Sequence, residues 1–437
     1  MRTKTRIRTL FLGFPKGTKW PGQETDSPMF QGAYSLENRV KVYSEKLSAF
    51  EHEYLEFVGK DLIRTESDLA GMEEAIKSED GVLAFYLGAG ARGMGEVLSW
   101  GVPTIFCNTP GYVNIRRKHV IPVRSSDFTS VQRKAGVLEA IHRLKETKIL
   151  YVSDGGLSEE FCVQAKEKLG VEIKNVENNR LLSARDDIAP SLAKELAQKW
   201  IDNAEAVMEP TYQDVLEASR LYYGIKKVME EEDANVITIS CFGLYIGTDL
   251  PLPCLAFVQL NDEGMAGVCQ ADINATLTQL MIGYIGDRPG FVANTFVDTA
   301  TDTVTYSHCL AATRMEGVSG EAEPYILRDH MGDYRSVCLQ VRMRVGKKVT
   351  VGSFQPFNRM LISTPEIVGN IHLFSLPFSF FDEHNCRTQI VTKGIDTKKM
   401  MRETLSDTGH RVLFYGDWLD EVRDMGKLLG FELVEEG

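Results

Sequence analysis

The sequence predicts an α/β protein in which two wound α/β domains precede a β-rich C-terminal domain. Three observations predict it. The first third alternates short apolar runs with helical stretches, the rhythm of a wound parallel sheet. A second unit of the same kind opens at Lys148 with ILYVSD. From about Asp302 the texture changes to short alternating runs (VTYSHCLAA, SVCLQVRMRV, KKVTVGSF, RMLIST, VGNIHLF) that read as antiparallel strands. The expected domains are 1–147, 148–301 and 302–437.

Taken in order, the first domain should hold strands at Thr9–Phe14, Val82–Leu87, Thr104–Cys107 and Val120–Val123. Helices are expected over Glu37–Phe57, Asp68–Ser78 and Val131–Glu146. The second domain continues with a helix over Leu157–Leu169, a strand at Val171–Lys174 and helical composition over Pro190–Glu209. Pro190 there suits a first helical turn. The clearest helix lies in PTYQDVLEASRLYYGIKKVMEEE. Val215, Ala218, Tyr222, Ile225 and Met229 recur at alternating steps of three and four and share one face. Thr211 with Asp214 has the spacing of a capping box. An apolar strand, Val236–Ile239, then leads into a glycine-containing loop at Gly243–Asp249. In open α/β sheets ligands bind outside the carboxyl ends of strands, so the loops after Ser240, Leu260 and Asn294 are the natural walls of a site. The chain closes with HRVLFYGDWLDEVRDMGKLLGFELVEE, read as strand, helix and strand.

Composition narrows the function classes. The 437 residues are 43% hydrophobic and 25% charged, the balance of a globular protein. The net charge of −12 argues against general binding to nucleic acid or an anionic membrane surface. No uncharged apolar run approaches the roughly 20 residues of a membrane span. The N-terminal MRTKTRIRTLFLGF is basic and then briefly apolar, too short for a signal core and followed by Lys16 and Lys19. It reads as a first buried strand over residues 6–14. Cysteines stand at 107, 162, 241, 254, 269, 309, 338 and 386 without a CxxC pair, which suits reduced thiols in a cytoplasmic protein. Cys107, Cys241 and Cys309 read as core residues.

Gly88-Ala-Gly90-Ala-Arg-Gly93 follows the Val82–Leu87 strand and satisfies GxGxxG. A dinucleotide site also wants an acid after the second strand, where this chain has Cys107-Asn108-Thr109-Pro110. The glycines are therefore read as a tight, packed turn. The charge runs Glu230–Asp233 and Arg116–Lys118 read as solvated faces.

The stretch from Cys254 to Cys309 closely resembles the central core of the fucose isomerase-like family of sugar isomerases. In that family a Cys-Glu-Ala-Asp-Ile segment opens a helix, and an Asp follows the next buried strand. This chain reads CQADI and VANTF, placing Gln270 and Asn294 at the two acidic positions. His410, in GHRVLFYGDW, matches the family's third metal ligand, and His308 in TYSHC matches a His-Cys beside substrate. Arg387 in HNCRTQ resembles a Cys-Arg-Thr of relatives. The similarity is strongest over 211–310, good over 384–437 and loose over 1–150. It implies flavodoxin-like α/β domains, a barrel-like C-terminal domain, a homo-oligomer (trimer or hexamer) and a small carbohydrate as ligand.

In the family the Glu and Asp bind a divalent metal such as manganese and move protons. Asn and Gln present a carbonyl and an NH2 but take no proton near neutral pH, and they offer a hard cation no anionic oxygen. The metal-assisted enediol mechanism is thus not carried over intact, and no cofactor is expected. The leading expectation is aldose–ketose isomerisation of a sugar or sugar derivative. Gln270, Asn294, His410 and Arg387 would bind substrate, and His308, Asp262 or Glu263 would transfer protons. Asp262 and Glu263 are placed on a loop, LNDEG, while Asp272 is read as a helix cap. A non-catalytic carbohydrate-binding or regulatory protein, or a lyase or epimerase acting on an acidic sugar, are the alternatives.

Overall fold

The computed structural model describes residues 2–16, 35–88, 91–108, 115–123, 128–330, 332–371, 386–405 and 409–437. The chain forms two compact units, Met1–Arg143 with Asp420–Gly430, and Leu144–Leu419 with Phe431–Gly437.

In the first unit, β1 (Thr5–Leu12), β2 (Leu55–Ile63), β3 (Gly81–Tyr86), β4 (Thr104–Cys107) and β5 (Val120–Val123) make a parallel sheet ordered β2-β1-β3-β4-β5. This is one of the two common doubly wound orders. Such sheets are covered on both faces, which is why β3 and β4 are near-continuous apolar runs buried at every position. Alternate residues divide between two clusters. Leu83 and Phe85 join Phe11 in one, and Val82, Ala84 and Tyr86 join Phe106 in the other.

The helix expected over Glu37–Phe57 stops early. It runs Leu36–Ser48, with the Ser35 hydroxyl accepting from the Asn38 N–H, and Leu55–Ile63 is a strand. Pairing with β1 decides the matter, since Leu55 and Phe57 lie opposite Thr5 and Ile7 and are buried. Gly59 and Lys60 sit at φ 80° and 69°, a backbone no α-helix can contain. The glycine turn behaves as packing predicts where it is described. Gly93 (φ 81°) precedes the short helix Met94–Ser99, and a Cβ there would lie 2.8 Å from Ile63 and 2.9 Å from Leu69. Gly90 lies outside the described residues.

The second unit opens with β6 (Lys148–Val152), β7 (Glu172–Val176), β8 (Ala206–Val207), β9 (Val236–Ile239) and β10 (Ala266–Cys269). All but β8 form a parallel sheet ordered β10-β9-β6-β7. Helices lie between these strands at Glu159–Leu169, Asn178–Asp186, Pro190–Asn203 and Tyr212–Glu231. The last carries the expected Thr211–Asp214 capping box.

The remaining strands are β11 (Phe291–Asp298), β12 (Thr303–His308), β13 (Tyr325–His330), β14 (Asp333–Val341), β15 (Val349–Gln355), β16 (Arg359–Ser363), β17 (Glu366–Asn370), β18 (Thr388–Lys393), β19 (His410–Tyr415) and β20 (Glu432–Glu435). An eight-stranded mixed sheet runs β17-β18-β12-β11-β19-β15-β16-β20, and β14-β13-β8 form a small third sheet. The β-rich texture thus starts one strand earlier than the expected boundary at 301. β11 pairs antiparallel with β12 and β19 and takes no place in the parallel sheet. The closing helix, Leu419–Leu429, belongs almost wholly to the first unit, although β19 before it and β20 after it belong to the second. Among the described residues no helix is long and apolar enough to cross a membrane.

Two further expectations are corrected. Gly243–Asp249 is not a loop, because Cys241–Gly247 is helical. Leu260 and Asp262 do not sit on a loop either, since they complete the last turn of the helix Cys254–Asp262, which is buried along its whole length. An apolar helix buried all round carries no amphipathic signal to distinguish it from a buried strand. This helix packs on β10 through Gly267, where a Cβ would stand 2.6 Å from a Phe257 ring carbon and 2.9 Å from its Cα. Gly267→Ala should therefore destabilise the second unit by roughly 1–3 kcal/mol, the usual cost of overpacking. Urea unfolding would measure it, and an unchanged midpoint would show that the contact relaxes freely.

Candidate functional site

At the carboxyl end of β10 the chain turns a strained corner. Gln270 and Ala271 both adopt left-handed backbone, at φ 62° and 51°. Two successive non-glycine residues in that region cost free energy and persist only where the surroundings hold them. The Ala271 N–H donates to the Ile239 carbonyl at 2.9 Å, and Asp272 then caps the helix Ile273–Gly286 by accepting from the Ala275 N–H at 2.9 Å. The corner presents Gln270 to a cavity of about 220 Å³.

The mixed sheet supplies the opposite wall. Asn294 on β11 stands directly across from Ser307 on β12 and from His410 on β19. His308 follows Ser307, and its ring lies 5.2 Å from that of His410. Gln270, Asn294, Ser307 and His308 line the cavity together with Phe242 and Phe296. Those two phenylalanines are 48% and 43% exposed, an unusual amount for aromatic rings and enough to present apolar faces to a ligand.

The two histidines are poised differently. The Cys309 N–H donates to His308 Nδ1 at 2.8 Å, so the proton of neutral His308 sits on Nε2. Burial, with His410 and His330 nearby, holds His308 well below the ordinary imidazole range and keeps it neutral. His410 Nδ1 lies 2.9 Å from Asp272 Oδ2 and donates to that carboxylate, which leaves Nε2 as an acceptor when the ring is neutral. Both Nε2 atoms are buried and have no partner among the described residues. Burial pushes the Asp272 carboxyl up, but the hydrogen bonds from His410 and the Ala275 N–H and the charge of His410 outweigh it. The carboxyl is therefore held below the usual aspartate range. The site thus offers one imidazole donor and one carboxylate-oriented imidazole acceptor.

The other expected site residues have structural duties. Asp262 is buried and accepts from the Thr313 N–H, the Thr313 hydroxyl and the Arg314 N–H at 2.8, 2.6 and 2.9 Å, tying down the turn after β12. Glu263 accepts from Tyr222, Lys226 and Gln259. Both line a different cavity, together with Lys199 and Trp200. Arg387 is buried in an ion pair with Asp329, its Nε donates to the Asp329 carbonyl at 2.9 Å, and it does not line the cavity of Gln270. Cys309 is fully buried and its sulfur accepts from the Arg387 N–H, as a core residue. Asp272 is the cap that its position predicts, and its second bond, to His410, is the feature sequence reasoning missed. The only available signal was an acid two residues beyond Gln270; nothing in the sequence linked it to a histidine 138 positions later.

The divalent metal implied by the sequence resemblance would need hard anionic oxygens. Two neutral amides and one imidazole stand at the corresponding positions. Among the described residues no group of three or more His, Cys, Asp or Glu side chains could hold a metal ion. This donor set does not fit the metal. Gln270→Glu with Asn294→Asp restores the charge at little change in volume. That double variant should acquire a manganese-dependent rise in melting temperature that the parent lacks; at a hundredfold excess over Kd the gain is about 2.7 kcal/mol. A double variant that folds but ignores manganese would mean that the pocket's geometry, as well as its charge, has departed from a metal site.

Asp272→Asn keeps a capping acceptor and removes the negative charge facing His410. The depressed carboxyl stabilises the fold above about pH 4, the ordinary aspartate value, and loses that contribution as pH falls through its lower folded-state value. The stability gap between parent and variant should therefore close below about pH 4. Urea titrations in which the gap widens toward acid would contradict the assignment.

No protein-family model matches the chain, and a search of curated proteins finds no match to it.

Proposed function

We propose that this chain is a divergent relative of the fucose isomerase-like enzymes, with their flavodoxin-like α/β domains and barrel-like C-terminal domain. In this reading it is a cytoplasmic homo-oligomer that interconverts an aldose and a ketose by proton transfer between the substrate and two imidazoles. The observation that carries the reading is that Gln270, Asn294 and His308 line one cavity while His410, held by Asp272, stands behind with its ring 5.2 Å from that of His308, two buried Nε2 atoms being left open, one a donor and one an acceptor. A buried donor or acceptor without a partner costs about 1–3 kcal/mol, and a ligand that supplies both partners recovers it. An α-hydroxy carbonyl is such a ligand.

The chemistry follows from the tautomers. His410 Nε2 takes the proton from C2 of the aldose, and Asp272 stabilises the imidazolium that forms. His308 Nε2–H donates to the C1 carbonyl oxygen, which gains negative charge as the enediol develops. A neutral imidazole suits that role, because its N–H polarises a carbonyl without first giving up a full proton. His308 passes its proton to O1 and recovers the one on O2, and His410 returns its proton to C1. C1 is reduced and C2 oxidised, so no external oxidant enters. The amides of Gln270 and Asn294 donate to and accept from the remaining hydroxyls, and Phe242 and Phe296 cover the carbon face.

The test is incubation with a panel of free and phosphorylated aldoses and ketoses in deuterium oxide, followed by proton NMR. The expected result is ketose formation with deuterium gained at the exchanging carbon. His410→Asn keeps a donor to Asp272 and removes Nε2, so kcat should fall roughly 10²- to 10⁴-fold. Sugar binding without exchange would instead assign a carbohydrate-binding role, which the paired amides also suit. No binding to any member of the panel would overturn both readings.

A further inference from the structure

Two of the cavity's walls carry thiols that no step above uses. Cys241 is the first residue of the helix after β9, and Cys269 is the last residue of β10, the strand beside it. Their sulfurs are 3.2 Å apart, both residues are buried against the protein, and both line the cavity. Cys241 Sγ also donates to the Ile239 carbonyl at 3.1 Å and accepts from the Gln270 N–H at 3.4 Å. A thiol has one hydrogen, so with that of Cys241 on Ile239 the S–H of Cys269 points to Cys241. Cys241 is therefore the sulfur that accepts two donors, and it touches the backbone of the strained corner that presents Gln270.

We propose that Cys241 and Cys269 form a peroxide-driven disulfide that switches this cavity between an open, reduced state and a distorted, oxidised one. A hydroperoxide is small enough to enter the cavity. Cys241 sulfur attacks the O–O bond and becomes a sulfenic acid, releasing water or an alcohol. Cys269 sulfur then attacks that sulfur and expels water. Two S–H bonds and one O–O bond break, one S–S bond forms, and the two electrons lost by the thiols reduce the peroxide. The sulfurs must close from 3.2 Å to the roughly 2.05 Å of a disulfide. That closure draws the helix start toward the end of β10 and weakens the Gln270 N–H contact, so the oxidised protein loses ligand binding. The effect on sugar binding rests on the function proposed above; the disulfide itself does not.

The experiment treats the full-length protein with hydrogen peroxide, quenches in acid, alkylates the free thiols and maps peptides by mass spectrometry before and after dithiothreitol. The expected product is a Cys241–Cys269 linked peptide, two hydrogens lighter than its reduced parts and lost on reduction. Cys269→Ala should instead leave Cys241 as a sulfenic acid that dimedone traps, and Cys241→Ala should yield neither product. Oxidation confined to the half-buried Cys162, or linkage of other cysteines with Cys241 and Cys269 both alkylated, would overturn the proposal. The wild-type map decides it even where a variant fails to fold. Sugar binding is then measured before and after oxidation. A linked peptide with unchanged binding overturns the switch but not the isomerase reading, and a linked peptide in a protein that never binds sugar overturns only the latter.

Discussion

One carboxylate joins the two architectures of the second unit. Asp272 Oδ1 satisfies the first turn of the helix Ile273–Gly286, and Oδ2 holds His410 on β19 of the mixed sheet. A helix of this length leaves four N–H groups without intrahelical partners, and a capping acid answers one of them at a position where the macrodipole favours negative charge. The same charge sets the tautomer of His410. The helix packs against β15 and β19, and the Phe354 N–H donates to Thr278 on it at 2.8 Å. The helix that follows the parallel sheet is thus tied to the mixed sheet by this side chain as well as by packing.

Burial sets the state of His308 at the cavity wall. A pair of close carboxylates needs a cation to share the space; two amides do not. Once the charge is gone, a neutral His308 is the cheaper state in the interior, and neutrality is what makes its Nε2–H a donor that polarises without ionising. Asp272 keeps its charge beside His410, because its hydrogen bonds and the imidazole opposite more than offset its desolvation. The strain at Gln270 and Ala271 fits the same picture, since left-handed residues are retained where a side chain must point into a site.

The acids and the arginine that sequence reasoning assigned to chemistry were lost to packing for a common reason. Asp262, Glu263 and Arg387 each satisfy several partners, and a carboxylate with three donors or a guanidinium paired in the interior has little left to offer a ligand. LNDEG has the composition of a loop. Its first three residues are nevertheless helical, because Asn261 holds both the N–H and the carbonyl of Gly267 and folds the turn back on β10.

Local pattern determined much of this protein. The strands Thr104–Cys107, Val120–Val123 and Val236–Ile239, the capped helix from Tyr212 and the α/β rhythm followed by β-rich texture were all legible, because each is a periodicity or a cap acting over a few residues. Gln270, Asn294, His308 and His410 were singled out only through resemblance, and the gathering of the last three depends on register between β11, β12 and β19. Tertiary structure alone decided three things: that Leu55–Ile63 pairs with β1 instead of continuing a helix, that β11 crosses into the mixed sheet, and that Asp272 serves a histidine as well as a helix. Strand pairing and carboxylate partners are contacts across long stretches of chain. Neighbouring residues carry no trace of them, and only the folded backbone brings the partners within hydrogen-bonding distance.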